Sequence, residues 1–226
     1  MGVSQKDTIT TMNIFIISKC PERAAQMCCD QHIIKMPVES LQMASVAQHQ
    51  VGTWTKVLYK PTAHVNHPCT IWVRSGTFNY EWLMRFVSAC QEEYRYRFGD
   101  KPRKVDEVYS AIKKYIDIDV ERTPFVAAIS KPDKIYELWT WSDAYDRGDV
   151  TITRAYREFY IQDKSRWARW TRREPPKWYV KGLLRYRLMH RLRYRSSSKL
   201  SWSDAEFLDM DHYPEADDNF QYVPAY

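Results

Sequence analysis

His32, Lys35, Glu39 and Gln42 follow one another at helical spacing, and their side chains are of the types that move protons and hold anions. At 100° per residue they fall within an arc of about 80°. An imidazole, an ammonium and a carboxylate on one wall supply a base, an anion clamp and an orienting group. An ordinary solvated face is the competing reading, although such a face usually repeats Glu and Lys. A second cluster is His64, Asn66, His67, Pro68 and Cys69, followed by Trp72 and Arg74. His-x-x-His-x-Cys holds metal-ligand types, but no second ligand cluster completes a closed site. The better reading is a rigid proline turn presenting His67, with Arg74 as a fork for phosphate and Lys60 as a second cation. The third cluster is Tyr156, Arg157, Tyr160 and Lys164, again helical neighbours, joined by Arg172 and Trp178. It suits a nucleic acid: Arg157, Lys164, Arg172 and Trp178 along the backbone, and Trp72, Tyr156 and Tyr160 as stacking surfaces for bases. A core helix with snorkelling cations is the alternative.

These residues need elements to position them. The pattern predicts a mainly α protein: one helical domain with a short N-terminal β-strand and an extended C-terminal basic arm. Residues 1–11 are polar and unpatterned. The run Met-Asn-Ile-Phe-Ile-Ile-Ser from Met12 reads as a buried strand. A helix begins at Pro21 and continues to about Gln50, with Pro37 as a kink, and Gly52 follows. Its apolar face carries Ile33, Ile34, Val38, Leu41 and Ala44, opposite the His32 stripe. Residues 53–77 read as a loop. Further helices are expected at 79–98, 104–116, 140–147 and 152–171, ending before the paired prolines Pro175 and Pro176. From Arg185 to Arg195 basic residues take odd positions and apolar or aromatic ones even positions, a period of two that suggests an extended arm. The expected division is a 1–11 extension, a 12–179 catalytic and DNA-binding domain, a 180–199 arm and a 200–226 tail.

Composition limits the class of function. Among 226 residues, 44% are hydrophobic, enough for a globular core, and the nine Trp and sixteen Tyr give rings with polar handles. No apolar run approaches the length of a membrane span, and the N-terminus lacks the apolar stretch of a signal peptide. Five cysteines without a CxxC pair fit reduced thiols in a cytoplasm. There is no phosphate-binding glycine loop and no nucleophile elbow. The net charge of +6 hides a division. Between Thr151 and Lys199, fifteen Lys or Arg stand against Glu158, Asp163 and Glu174, a net +12; from Ser201 onward there are seven acids and no Lys or Arg. A basic, aromatic block is the footprint of a polyanion. The acidic tail, joined through Ser196–Ser198, is expected to compete with DNA for the basic arm.

Met12-Asn13-Ile14-Phe15, Cys29-Asp30-Gln31-His32-Ile33-Ile34-Lys35-Met36, Asn66-His67-Pro68-Cys69 with Trp72-Val73-Arg74, and Ala155-Tyr156-Arg157 through Trp178-Tyr179 resemble a set of small tailed-phage proteins over about residues 12–179. That set resembles the amino acid:DNA transferases of thymidine hypermodification, relatives of the glutamyl- and putrescinyl-thymine pyrophosphorylases. The resemblance implies that an amine or amino acid displaces pyrophosphate from an activated 5-hydroxymethyl-pyrimidine in DNA. Lys35 and Arg74 would then hold the pyrophosphate, His32 or His67 would take the proton, and Glu39 would orient the imidazole or bind the ammonium. No cofactor is called for, with Mg2+ the one compatible ion. The partners expected are DNA and a small amine or amino acid, and no membrane. Two other classes fit the same residues: a base-excision enzyme in which Lys35 attacks a sugar carbon, and a DNA-binding accessory protein without chemistry.

Overall fold

The computed structural model describes residues 12–62, 64–118, 123–129, 148 and 150–195, with side chains to residue 188. The 1–11 extension, the expected helix at 140–147 and the acidic tail lie outside the described residues.

The chain is mainly helical, as the periodicity predicts. Helix α1 is Pro21–Met27 and α2 is Asp30–Gln50. The continuous helix expected there is interrupted at Cys28 and Cys29, whose backbones are extended. The interruption survives because tertiary groups satisfy the freed backbone. Tyr160 sets its hydroxyl 2.7 Å from the Cys29 N–H, and the Asp30 N–H donates to the Arg169 carbonyl at 2.8 Å. No side-chain cap is used at α2, so this start depends on residues more than a hundred positions away. Pro37 lies inside α2 and is buried.

Helix α3, Pro68–Val73, sits inside what reads from sequence as a loop. Proline opens it and the His67 side chain accepts from the Cys69 N–H, which supplies the cap. Helix α4, Thr77–Phe98, packs against α1 and α2 and buries Tyr80, Trp82, Leu83 and Phe86. Helix α5 is Lys104–Ala111. Helix α6, Ile152–Phe159, is capped by Thr151 and runs into a π-helical turn at Tyr160–Lys164. The helix expected to reach residue 171 therefore ends earlier.

Two further sequence expectations are corrected. Among the described residues no strand forms. Met12, Ile14, Phe15, Ile16 and Ile17 are at most 5% exposed, as a buried strand requires, but they pair with no other strand. The Asn13 side chain replaces the sheet: its Oδ1 accepts the N–H groups of Ile14 and Phe15 and the Tyr156 hydroxyl, and its Nδ2 donates to the Ala128 carbonyl at 2.8 Å. The arm is likewise not extended, because Lys177–Arg195 is a helix, α7. Trp178 and Tyr179 bury in the core at its first turn, Gly182 passes against Ile161, and Arg185 pairs with Glu158. A Cβ at Gly182 would come within 2.2 Å of Ile161 Cδ1, so any larger residue there requires the end of the Ile161 side chain to move aside. Packing on one helical face overrides the two-residue alternation.

Candidate active site

Lys35 and Glu39 are one turn apart on α2, and Lys35 Nζ lies 2.8 Å from Glu39 Oε1. Their side chains are 57% and 12% exposed, so the amine reaches solvent while the carboxylate is recessed. The other carboxylate oxygen accepts the Asn13 N–H at 3.2 Å. Asn13 is 4% exposed and is fixed by four further hydrogen bonds, to Ile14, Phe15, Ala128 and Tyr156. The carboxylate is thus anchored on one side to a rigid backbone and faces an accessible amine on the other. An amine needs such a partner if it is to lose a proton and then have one returned nearby.

The N-terminal turn of α3 lies beside this pair. The Thr70 hydroxyl is 3.8 Å from Met12 Sδ, and Cys69 feels the charge of Glu39. Burial, with a smaller contribution from Glu39, pushes the Cys69 thiol up to about 12, so it stays protonated and is no nucleophile. His67 Nδ1 caps α3 at 3.2 Å from the Cys69 N–H. Burial and the nearby His64 lower its pKa, which keeps the ring neutral at pH 7. Arg74 closes the opposite end of α3, about 10 Å of helix rise away. The α3 helix therefore does not deliver His67 and Arg74 to one point.

His32 has left the polar wall. It is 4% exposed, with its ring 4.1 Å from Phe15, 5.0 Å from Tyr160 and 5.5 Å from Trp167. Burial, helped by the charges of Lys164 and Lys35, lowers its pKa to about 3. A neutral imidazole enclosed by rings is not placed to shuttle protons with substrate. The helical wheel could not foresee this, because the rings that cover it come from the N-terminal segment and from beyond residue 159. Its Nδ1 has no hydrogen-bond partner among the described residues.

The residues assigned to bases and phosphates divide by exposure. Trp72, Tyr156, Tyr160 and Trp178 are at most 9% exposed and hold the core together. Tyr156 binds Asn13 and Tyr160 binds Cys29, while Trp72 packs 5.1 Å from Phe125. Rings held this way have packing roles, since a base would have to displace the core to stack on them. Arg157 Nε donates to the Ile17 carbonyl at 3.0 Å, which ties α6 to the N-terminal segment. Lys164 pairs with Asp163 and rests over the Phe159 ring at 4.8 Å. Lys60 and Arg172 are exposed and Arg74 half-buried, which leaves those three of the assigned cations at the surface.

One network went unread in the sequence. Arg97, with no exposed side-chain surface, bonds Glu93 at 2.7 Å, Asp30 at 2.9 Å and the Gln26 carbonyl at 3.0 Å. Arg173 adds two bonds to Glu93, and Asp30 accepts from Thr171. It clips the segment after α6 onto α1, α2 and α4. Glu93 and Arg97 at i and i+4 were the available signal. Among the described residues, no group of three or more His, Cys, Asp or Glu is arranged to hold a metal ion, and no helix is long and apolar enough to cross a membrane.

No curated protein and no solved structure matches the chain. A family model does, over residues 12–106, less than half of the 226. The matched stretch holds the Asn13, Lys35 and Glu39 group together with His67, and it stops within α5. The expected likeness to an enzyme family acting on DNA is met at that coarse level, but the matched family is not that of the hypermodification transferases: over residues 12–106 the chain is similar to the family described as pyrimidine dimer DNA glycosylase.

Proposed function

We infer that this chain is a DNA glycosylase that releases a damaged pyrimidine through an amine nucleophile, with Lys35 as the amine and Glu39 as its proton partner. One observation carries the reading: a solvent-reaching lysine amine lies 2.8 Å from a recessed, backbone-anchored carboxylate, inside the stretch similar to pyrimidine dimer DNA glycosylases. Nζ, exposed to solvent, gives its ammonium proton to water, leaving Glu39 ionised, and attacks C1′ of the deoxyribose as the free amine. The C1′–N bond breaks, its electron pair leaves with the base, and the base takes a proton from water. Glu39 accepts one of the two protons on the new C1′–N bond to lysine. The nitrogen lone pair then opens the sugar ring, and Glu39 returns the proton to the ring oxygen. The product is an imine between Lys35 and C1′, which water hydrolyses to an abasic aldehyde and free lysine. Lys60, Arg74 and Arg172 are the cations available for the phosphates on either side.

The test is a duplex oligonucleotide carrying one pyrimidine dimer at a defined position. The expected product is an alkali-labile break at the lesion, reduced at least about 10²-fold in Lys35→Ala. The amine-transfer reading predicts instead an intact strand and, with an amine supplied to DNA bearing an activated 5-hydroxymethyl-pyrimidine, a nucleoside of higher mass. That pair of results would replace the glycosylase reading.

A further inference from the structure

Helix α7 carries two faces. Trp178, Tyr179, Gly182 and Tyr186 turn inward or pack against the core. On the other side Val180, Leu184 and Leu188 repeat every four residues and are 44%, 62% and 42% exposed. Lys177, Lys181 and Arg187 are exposed around them, so an apolar stripe is edged by cations within an arc of about 120°. Phosphates account for the cations. They do not account for three exposed aliphatic side chains in register, which ask for an apolar partner that is also acidic.

The chain supplies such a partner. Thirty-one residues follow Arg195, and the stretch from Ser201 places Trp202, Phe207, Leu208 and Met210 among Asp204, Glu206, Asp209 and Asp211, with no Lys or Arg. Leu188 and Val180 lie seven and fifteen positions before the end of α7, about 10 and 22 Å along the helix. A dozen residues returning from Arg195 span that distance, since extended chain covers about 3.3 Å per residue. We propose that the segment 201–211 docks on the Val180–Leu184–Leu188 face of α7 and covers Lys177, Lys181 and Arg187 against DNA. The docking stands on charge and apolar complementarity. The competition with DNA rests on the DNA-acting reading above.

Two readouts on the full chain separate these. A zero-length carbodiimide joins amines to carboxylates in contact. Docking predicts crosslinks within one chain from Lys177 or Lys181 to Asp204, Glu206, Asp209 or Asp211, lost in Leu184→Ser and in the double variant Phe207→Ser, Leu208→Ser. Neither variant changes the charge, and Leu184 is exposed, so neither effect reduces to electrostatics or misfolding. The same variants should tighten binding to undamaged duplex about threefold or more at fixed salt. Absence of the intrachain crosslinks overturns the docking whatever happens with DNA. Crosslinks with unchanged DNA affinity overturn the competition alone. A dimer by sedimentation that dissociates on Leu184→Ser, with crosslinks only between chains, assigns the face to a second copy and overturns the proposal.

Discussion

At the scale of single residues, solvent access divides the polar stripe of α2 into two parts. Lys35 and Glu39 keep an opening to solvent, whereas His32 is sealed under Phe15, Tyr160 and Trp167. The pair is one turn apart on a helix with its lysine end in solvent, a geometry worth only about 0.3–0.5 kcal/mol, and glutamine keeps an oxygen for the Asn13 N–H, so Glu39→Gln should leave the urea midpoint nearly unchanged. Base release should still fall about 10²-fold or more, with DNA affinity within a factor of a few, because the variant loses the proton acceptor and not a phosphate contact. A large loss of stability in Glu39→Gln would make the carboxylate structural instead. His32 gives the opposite signature. Its folded pKa of about 3 lies below the ordinary 6.5, so the unfolded chain binds a proton that the folded chain refuses. Stability from this source is complete above pH 6.5 and is lost as pH falls from 6.5 toward 3, by at most about 1.4 kcal/mol per unit. Denaturation by urea at pH 7 and pH 4.5 should therefore show a smaller drop in His32→Leu than in the parent chain. Equal drops would mean that the ring is protonated in place.

At the scale of elements, the network around Arg97 joins the N-terminal helices to the segment after α6. Removing one member of a buried ion cluster strands the others. Arg97→Met should cost about 3–5 kcal/mol, read as a lower urea midpoint. Burial acts to raise the pKa of Glu93, but hydrogen bonds and charge from Arg173 and Arg97 outweigh it and hold the value below 4.5. Its contribution is present above pH 4.5 and is lost as pH falls through that lower value. The sequence made α4, the starts of α5 and α6 and most of the apolar side of α2 legible, because those helices carry their own period; α5 stops at Ala111 rather than 116, and Ile34, assigned to the apolar side, is 50% exposed. It did not show the break at Cys28–Cys29 or the burial of His32, since both depend on Tyr160, Arg169 and Trp167, which no local pattern links to α2. The unpaired run from Met12 read as a strand for a similar reason: buried apolar residues look alike in a strand and in a threaded segment. Its signal was Asn13, a polar residue in an apolar run that has to find partners. On α7 the alternation of Arg with apolar residues suggested an extended arm, but the inward residues Trp178, Tyr179, Gly182 and Tyr186 follow a helical face.

At the scale of the molecule, the Lys35–Glu39 pair and the excess positive charge sit in different parts of the chain. Lys35 and Glu39 lie in the stretch matched to a glycosylase family, and the +12 block begins at Thr151. Affinity for undamaged duplex should fall steeply with salt, by about 0.9 in log Kd per log salt for each phosphate contacted. Replacing exposed Lys181 and Arg187 by Ala should flatten that slope by up to about two contacts and leave the rate of base release at saturating DNA nearly unchanged. An unaltered slope would move the phosphate contacts off α7. The central claim is that a lysine amine of α2 becomes covalently bound to the sugar, and borohydride tests it directly. Added while the enzyme acts on dimer-containing duplex, borohydride should reduce the imine and give one stable protein–DNA adduct, which digestion and mass spectrometry place on Lys35 and which Lys35→Ala does not form. An adduct on any other amine, or none while base release proceeds at full rate, would contradict the account.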